Sequence, residues 1–126
     1  MEITSGDSEN GYAPVILWPQ DEIILSGKIT IPTYFNSHPV VGLNGFDGES
    51  GHQITHVFFE DASRSKVRII CGRCFYNTET LVYFEWPANL ETIDLLAFYE
   101  THLQVDLIPN EINTYNIGNE KLTYIG

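Results

Sequence analysis

Residues 81–98 read Leu81-Val82-Tyr83-Phe84-Glu85-Trp86-Pro87-Ala88-Asn89-Leu90-Glu91-Thr92-Ile93-Asp94-Leu95-Leu96-Ala97-Phe98. Apolar side chains stand at relative positions 0, 3 and 5 (Leu81, Phe84, Trp86), and a second trio follows at spacing 0, 3 and 8 (Leu90, Ile93, Phe98). Both trios recur upstream as Ile54, Val57, Phe59 and Val67, Ile70, Phe75. An earlier unit carries Ile29, Ile31 and Pro32 with Val40, Leu43 and Phe46, its second trio two residues shorter. A later unit carries Leu103, Ile108 and Pro109 with Ile112 and Tyr115, after which the pattern dissolves. Phe46, Phe75 and Phe98 lie 29 and 23 residues apart and mark the repeat. A unit of that length cannot cover its own apolar face, so it buries the face by stacking on the next unit.

Composition agrees with a stack of strands and turns. The 126 residues form one domain that is mainly β with little helix: 13% are aromatic, ten are Gly and six are Pro, a mixture that suits strands and tight turns. No stretch of a dozen residues keeps apolar positions at helical spacing with a polar opposite face. Six basic against 17 acidic residues leave a net charge of −11, which repels phosphate backbones and anionic lipid, so neither nucleic acid nor a membrane is expected as a partner. No apolar run approaches the roughly 20 residues needed to span a bilayer, and the first seven residues lack the basic and apolar regions of a signal peptide. Residues 1–22 are read as an N-terminal extension and cap. Its apolar part is Tyr12–Trp18, closed by Pro19-Gln20-Asp21-Glu22. Residues 23–126 are read as the repeat body, with units near 23–53, 54–80, 81–102 and 103–126.

These units resemble the BspA-type leucine-rich repeats of bacterial and protozoan surface proteins. The family's repeat runs approximately L-x-x-[IV]-x-[IL]-P, a short link, V-x-x-I-x-x-x-A-F and a polar turn. Leu81 to Pro87 followed by Leu90-Glu91-Thr92-Ile93 and Ala97-Phe98-Tyr99 matches it best, and Gly27 to Pro32 with His38 to Leu43 resembles a first repeat. The similarity covers about residues 23–115 and implies a short leucine-rich-repeat solenoid of three to four units. Three departures stand out: Glu60 replaces the expected Pro, 62–66 form a longer polar link, and Asp106 falls where an inward residue belongs. Asp106 leaves two registers open for the last unit, one of which turns Val105 and Leu107 inward.

Little in the sequence argues for catalysis, and no cofactor is expected. Cys71-Gly72-Arg73-Cys74 has CxxC spacing, but there is no second Cys pair to complete a zinc site, and a redox CxxC normally opens a helix. Cys74 aligns instead with the small buried Ala97. His38, His52, His56 and His102 lack metal-helix spacing, and no nucleophile elbow, Walker loop or glycine-rich phosphate fingerprint occurs. No metal site is expected.

Two surface features point to a protein partner. Arg64, Lys66, Arg68 and Arg73 are four of the six basic residues, and on an extended backbone Arg64, Lys66 and Arg68 project from one face as an electrostatic key for an acidic partner. The strand register also turns positions 2 and 4 of each unit outward, giving Lys28 and Thr30, His56 and Phe58, Tyr83 and Glu85, and Val105 and Leu107. Phe58, Tyr83, Val105 and Leu107 then form an apolar strip on the open face, with Glu85 beside it. The expected function is a non-catalytic interaction module that binds copies of itself or neighbouring subunits in a larger assembly such as a phage virion. A secreted bacterial surface adhesin binding a host protein or glycan is the other reading. The expected locations are accordingly the virion or the cell surface and extracellular space.

Overall fold

A computed structural model of the chain describes residues 11–103, 107–109 and 111–125. The described strands are β1 (Val15–Leu17), β2 (Ser26–Ile31), β3 (Tyr34–Phe35), β4 (His38–Leu43), β5 (Gln53–Phe59), β6 (Ile69–Ile70), β7 (Tyr83–Phe84), β8 (Thr92–Ile93), β9 (Leu107–Pro109), β10 (Asn113–Thr114) and β11 (Thr123–Ile125). Helix among the described residues is confined to one short 3₁₀ turn at Gly48–Ser50. The protein is mainly β with parallel sheets.

Two parallel sheets take up alternate strands of the chain. One runs β1-β4-β6-β8-β10 and the other β2-β5-β7, while β9 and β11 form a parallel pair of their own. Register follows the apolar spacing: Leu43, Ile70 and Ile93 lie side by side in the first sheet, and Ile29, Val57 and Phe84 in the second. All but Ile29 are buried. Phe46, Phe75 and Phe98 stack in the core with ring centroids 5.5 Å apart at both steps, the second pair within 1° of parallel. Phe84 meets Phe75 and Phe98 edge-on at 5.6 and 5.4 Å, the arrangement that aromatic quadrupoles favour.

The turns after the short strands are tied to one another as the strands are. Gly48 N–H donates to the Tyr76 carbonyl, Phe75 N–H to Ala97, Asn77 N–H to Tyr99, and Phe98 N–H to Ile117. Arg73 (φ 59°) and Leu96 (φ 56°) occupy the left-handed region two residues before Phe75 and Phe98, and Asn77 and Glu100 do so two residues after them. Thr78 and Thr101, each three residues past a core Phe, are buried; Thr78 Oγ1 donates to the Phe46 carbonyl, and Thr101 Oγ1 accepts from Asn119 Nδ2. These pairings satisfy backbone groups that the short strands leave over.

At the N-terminal end β1 lies parallel to β4, with Ile16 opposite Gly42 and Trp18 over Gly45. A Cβ at Gly42 would come within 2.7 Å of Ile16 Cδ1, so glycine permits the close approach of strand and side chain there. The β3–β4 hairpin was not among the sequence expectations. Its two-residue turn is Asn36-Ser37, with φ of 49° and 70°, the left-handed pair that matches strand twist.

One expectation for the last unit is corrected. Spacing puts Tyr115 in the place of Ile93, but Thr114 pairs with Ile93 and Tyr115 is 59% exposed. Ile112 stays buried, so the register slips by one between it and the strand, and that single step turns Tyr115 outward. Strand pairing also continues past Tyr115, since β11 pairs with β9. The Asp106 register question lies outside the described residues.

Candidate functional site

The outer side of the β2-β5-β7 sheet gathers the aromatic residues that alternation turns away from the core. Lys28, His56 and Tyr83 are register partners across the three strands, and Thr30 pairs with Phe58. The His56 and Phe58 rings are stacked nearly parallel, 8° apart with centroids at 6.1 Å, and Tyr83 lies 5.4 Å from Phe58. Phe58 is half-buried and Tyr83 is exposed, beside an exposed Val82. Glu85 is turned inward along the sheet: its Oε1 accepts the Phe59 N–H at 2.8 Å. Among the strip residues, Val105 lies outside the described residues. The backbone of Leu107 is in β9, paired with Thr123 rather than with the β2-β5-β7 sheet.

The basic cluster sits on a different side, over the links between strands. Arg64 is not on extended backbone as its spacing predicted. Residues 61–64 form a turn in which the Arg64 and Ser65 N–H groups both donate to the Asp61 carbonyl, at 3.1 and 2.8 Å. The turn forms because Asp61 Oδ1 accepts from Ser63 N–H and Ser63 Oγ, contacts that also hold its carboxyl below the usual range, with Arg64 adding to the effect. The Arg64 side chain is 85% exposed and its Nε lies 3.8 Å from Asp61, too loose a surface pair to immobilise it. From Ser65 onward the alternation holds, with Ser65 and Val67 buried and Lys66 and Arg68 directed outward. Arg64 and Lys66 line a groove of about 700 Å³ with Thr33, Tyr34, Glu60 and Asn89. Lys66 and Asn89 continue into a second groove of about 520 Å³ with Arg68. The three cations thus line two adjoining grooves that also hold the carboxylates of Glu60, Asp61 and Glu91, and Arg73 stands apart with its guanidinium 5.4 Å from the Tyr76 ring.

Cys71 and Cys74 are both free thiols and both buried. Burial pushes the Cys74 thiol well above its usual range and raises Cys71 as well. A thiol held in its protonated form is a poor nucleophile and a poor metal ligand. In the folded protein at pH 8, Cys74 should react with a disulfide reagent at least about 100-fold more slowly than in denaturant, since the thiolate fraction and access both fall. Rates within tenfold of each other would refute this burial.

Among the described residues no group of three or more His, Cys, Asp or Glu side chains is placed to hold a metal ion, and no helix is long and apolar enough to cross a membrane. The histidines are spread apart. His38 and His52 anchor the N-terminal segment, His56 belongs to the aromatic face, and His102 is exposed. The role of His52 has no signal in the sequence, because its partner is a backbone group 27 residues away. The chain matches no known family model, no curated protein and no solved structure.

Proposed function

We propose that the chain is a non-catalytic protein–protein interaction module, a short solenoid of BspA-like leucine-rich repeats that serves as a structural subunit in a larger multi-chain assembly such as a phage virion. The observation that carries this reading is the aromatic set His56, Phe58 and Tyr83, packed ring on ring along the outward side of a parallel sheet. Aromatic rings presented by rigid strands bury a large area at little entropic cost, as interface anchors do. The parallel strands in register support the repeat reading, because a unit in the middle of such a stack has a neighbour on both sides and an end unit has only one. Arg64, Lys66 and Arg68 supply a second contact, suited to acidic side chains on the partner. The partner is another copy of this chain or a neighbouring subunit of the assembly.

The native mass of the chain in solution tests the reading, measured by light scattering across protein and salt concentration. A stable oligomer, or aggregation relieved by a co-expressed neighbouring subunit, is expected. Phe58→Glu with Tyr83→Glu should shift the mass to that of a monomer while leaving the thermal midpoint within a few degrees, because both side chains face outward. Arg64→Glu with Arg68→Glu should weaken association, and added salt should weaken it in the unmodified chain. A well-folded monomer at high concentration, indifferent to all of these changes, would count against the assembly subunit and favour the secreted adhesin.

A further inference from the structure

We propose that His52 is an acid-sensitive latch: protonation of its Nδ1 removes the acceptor of the Leu25 N–H and releases residues 18–24 from the N-terminal end of the stack. This goes beyond the interaction reading and does not depend on it. His52 is 6% exposed, and its Nδ1 lies 3.0 Å from the Leu25 nitrogen. A backbone N–H can only donate, so Nδ1 must be the bare nitrogen of a neutral imidazole with its proton on Nε2. A second proton on the ring would set two donors against each other in a buried site, and neither would have a partner.

His38 holds the preceding stretch in the opposite sense. Its Nδ1 is 2.8 Å from the Ala13 carbonyl, and a carbonyl can only accept, so Nδ1 carries the proton. Protonating the His38 ring adds a proton at Nε2 and leaves that bond in place. Acid should therefore open 18–24 while 12–17 stays anchored by His38 and by the pairing of β1 with β4.

The Leu25 carbonyl also accepts the Gln53 N–H at 2.8 Å, so Leu25 is the hinge at the start of β2, and residues 18–24 before it are lightly held. Trp18 rests over Gly45 and is 58% exposed, the Ile24 side chain reaches toward Gly51, and Glu22 sits at φ 67° in the turn from Gln20 to Ile23. A groove of about 310 Å³ lies between this segment and the body, and His52 lines it together with Asp21, Glu22 and Asp47. These three carboxylates are the charged residues of that groove, and no Lys or Arg lines it. Opening would uncover the Gly45–Phe46 turn beneath Trp18.

Hydrogen exchange of the full chain between pH 7.5 and 5.5, corrected for intrinsic rates, tests the latch and stays above the ordinary carboxylate titration near about pH 4. Protection of residues 18–25 should be lost toward acid at up to about tenfold per pH unit, the limit for uptake of one proton, with β5 to β8 unchanged. His52→Asn keeps an acceptor near the place of Nδ1 but cannot be protonated, and it should abolish the loss; His38→Asn should leave it. Protection constant within twofold across the range, or the same loss in His52→Asn, would overturn the proposal. Should His52→Asn fail to fold, nitrogen NMR of the unmodified chain decides the matter. The Nε2–H tautomer at pH 7.5, titrating together with the loss of protection, is expected. The Nδ1–H tautomer, or titration without opening, would refute the latch.

Discussion

Phe75→Ala is expected to lower the unfolding free energy by about 3–5 kcal/mol, the usual cost of deleting a fully buried ring. Phe75 has no exposed surface, stacks between Phe46 and Phe98, and stands nearly perpendicular to the Phe84 ring at 5.6 Å. Its ring neighbours come from both sides of it in the chain, Phe46 before and Phe84 and Phe98 after, so the void cannot be filled by movement of one segment. A chain of this size has about 5–15 kcal/mol to lose, so the variant should be close to unfolding at room temperature. Denaturant titration of Phe75→Ala beside Val82→Ala makes the comparison. Val82 is an exposed neighbour of the aromatic face, and its truncation should cost less than about 0.5 kcal/mol. A loss below about 1.5 kcal/mol at Phe75 would mean that the stacked rings do not hold successive units together.

Gly48→Ala should be the second most damaging substitution, at about 3 kcal/mol or more. A Cβ at this position would overlap the Asn77 carbonyl and lie 3.0 Å from the Thr78 nitrogen. These are backbone atoms, fixed by the bonds from Gly48 N–H to the Tyr76 carbonyl and from Asn77 N–H to the Tyr99 carbonyl. Neither side can yield without parting two turns of the stack. Gly27→Ala is the control, because Gly27 sits at φ +72° with nothing within 4 Å of where a Cβ would lie, and only the backbone cost of about 1 kcal/mol applies. Thermal denaturation of both variants separates the cases, and equal losses would show that the two turns move apart at little cost to admit the Cβ.

Much of the fold was legible because the same spacing occurs several times. The register of Val57 with Phe84 and of Ile70 with Ile93 follows from laying residues 54–75 over 81–98, and so does the stacking of Phe75 on Phe98. The outward direction of His56, Phe58 and Tyr83 follows from the two-residue period of a strand once that register is known. Cys74 was readable as a core residue from its alignment with Ala97, and both are fully buried.

Other features depend on single contacts that no repeat signals. Arg64 left the extended backbone because Asp61 and Ser63 make a local turn, and side-chain bonds of that kind outweigh a regular alternation of charges. Tyr115 turned outward because a one-residue slip reverses every side chain that follows. Glu85 was placed beside the apolar strip as a contact for a partner, yet its carboxylate accepts a backbone N–H within the sheet.

The sequence by itself determined the mainly β character, the register of the parallel strands and the core phenylalanines, because an apolar spacing that recurs marks which strands lie side by side and which side chains they bury. Only the tertiary structure decided how the ends and turns are held. The β1–β4 pairing, the β9–β11 pair and the bond from Leu25 to His52 all join groups well separated along the chain. Backbone hydrogen bonding is nearly blind to residue type, so those partners are chosen by where the stacked core brings the chain, and spacing along the sequence carries no mark of them.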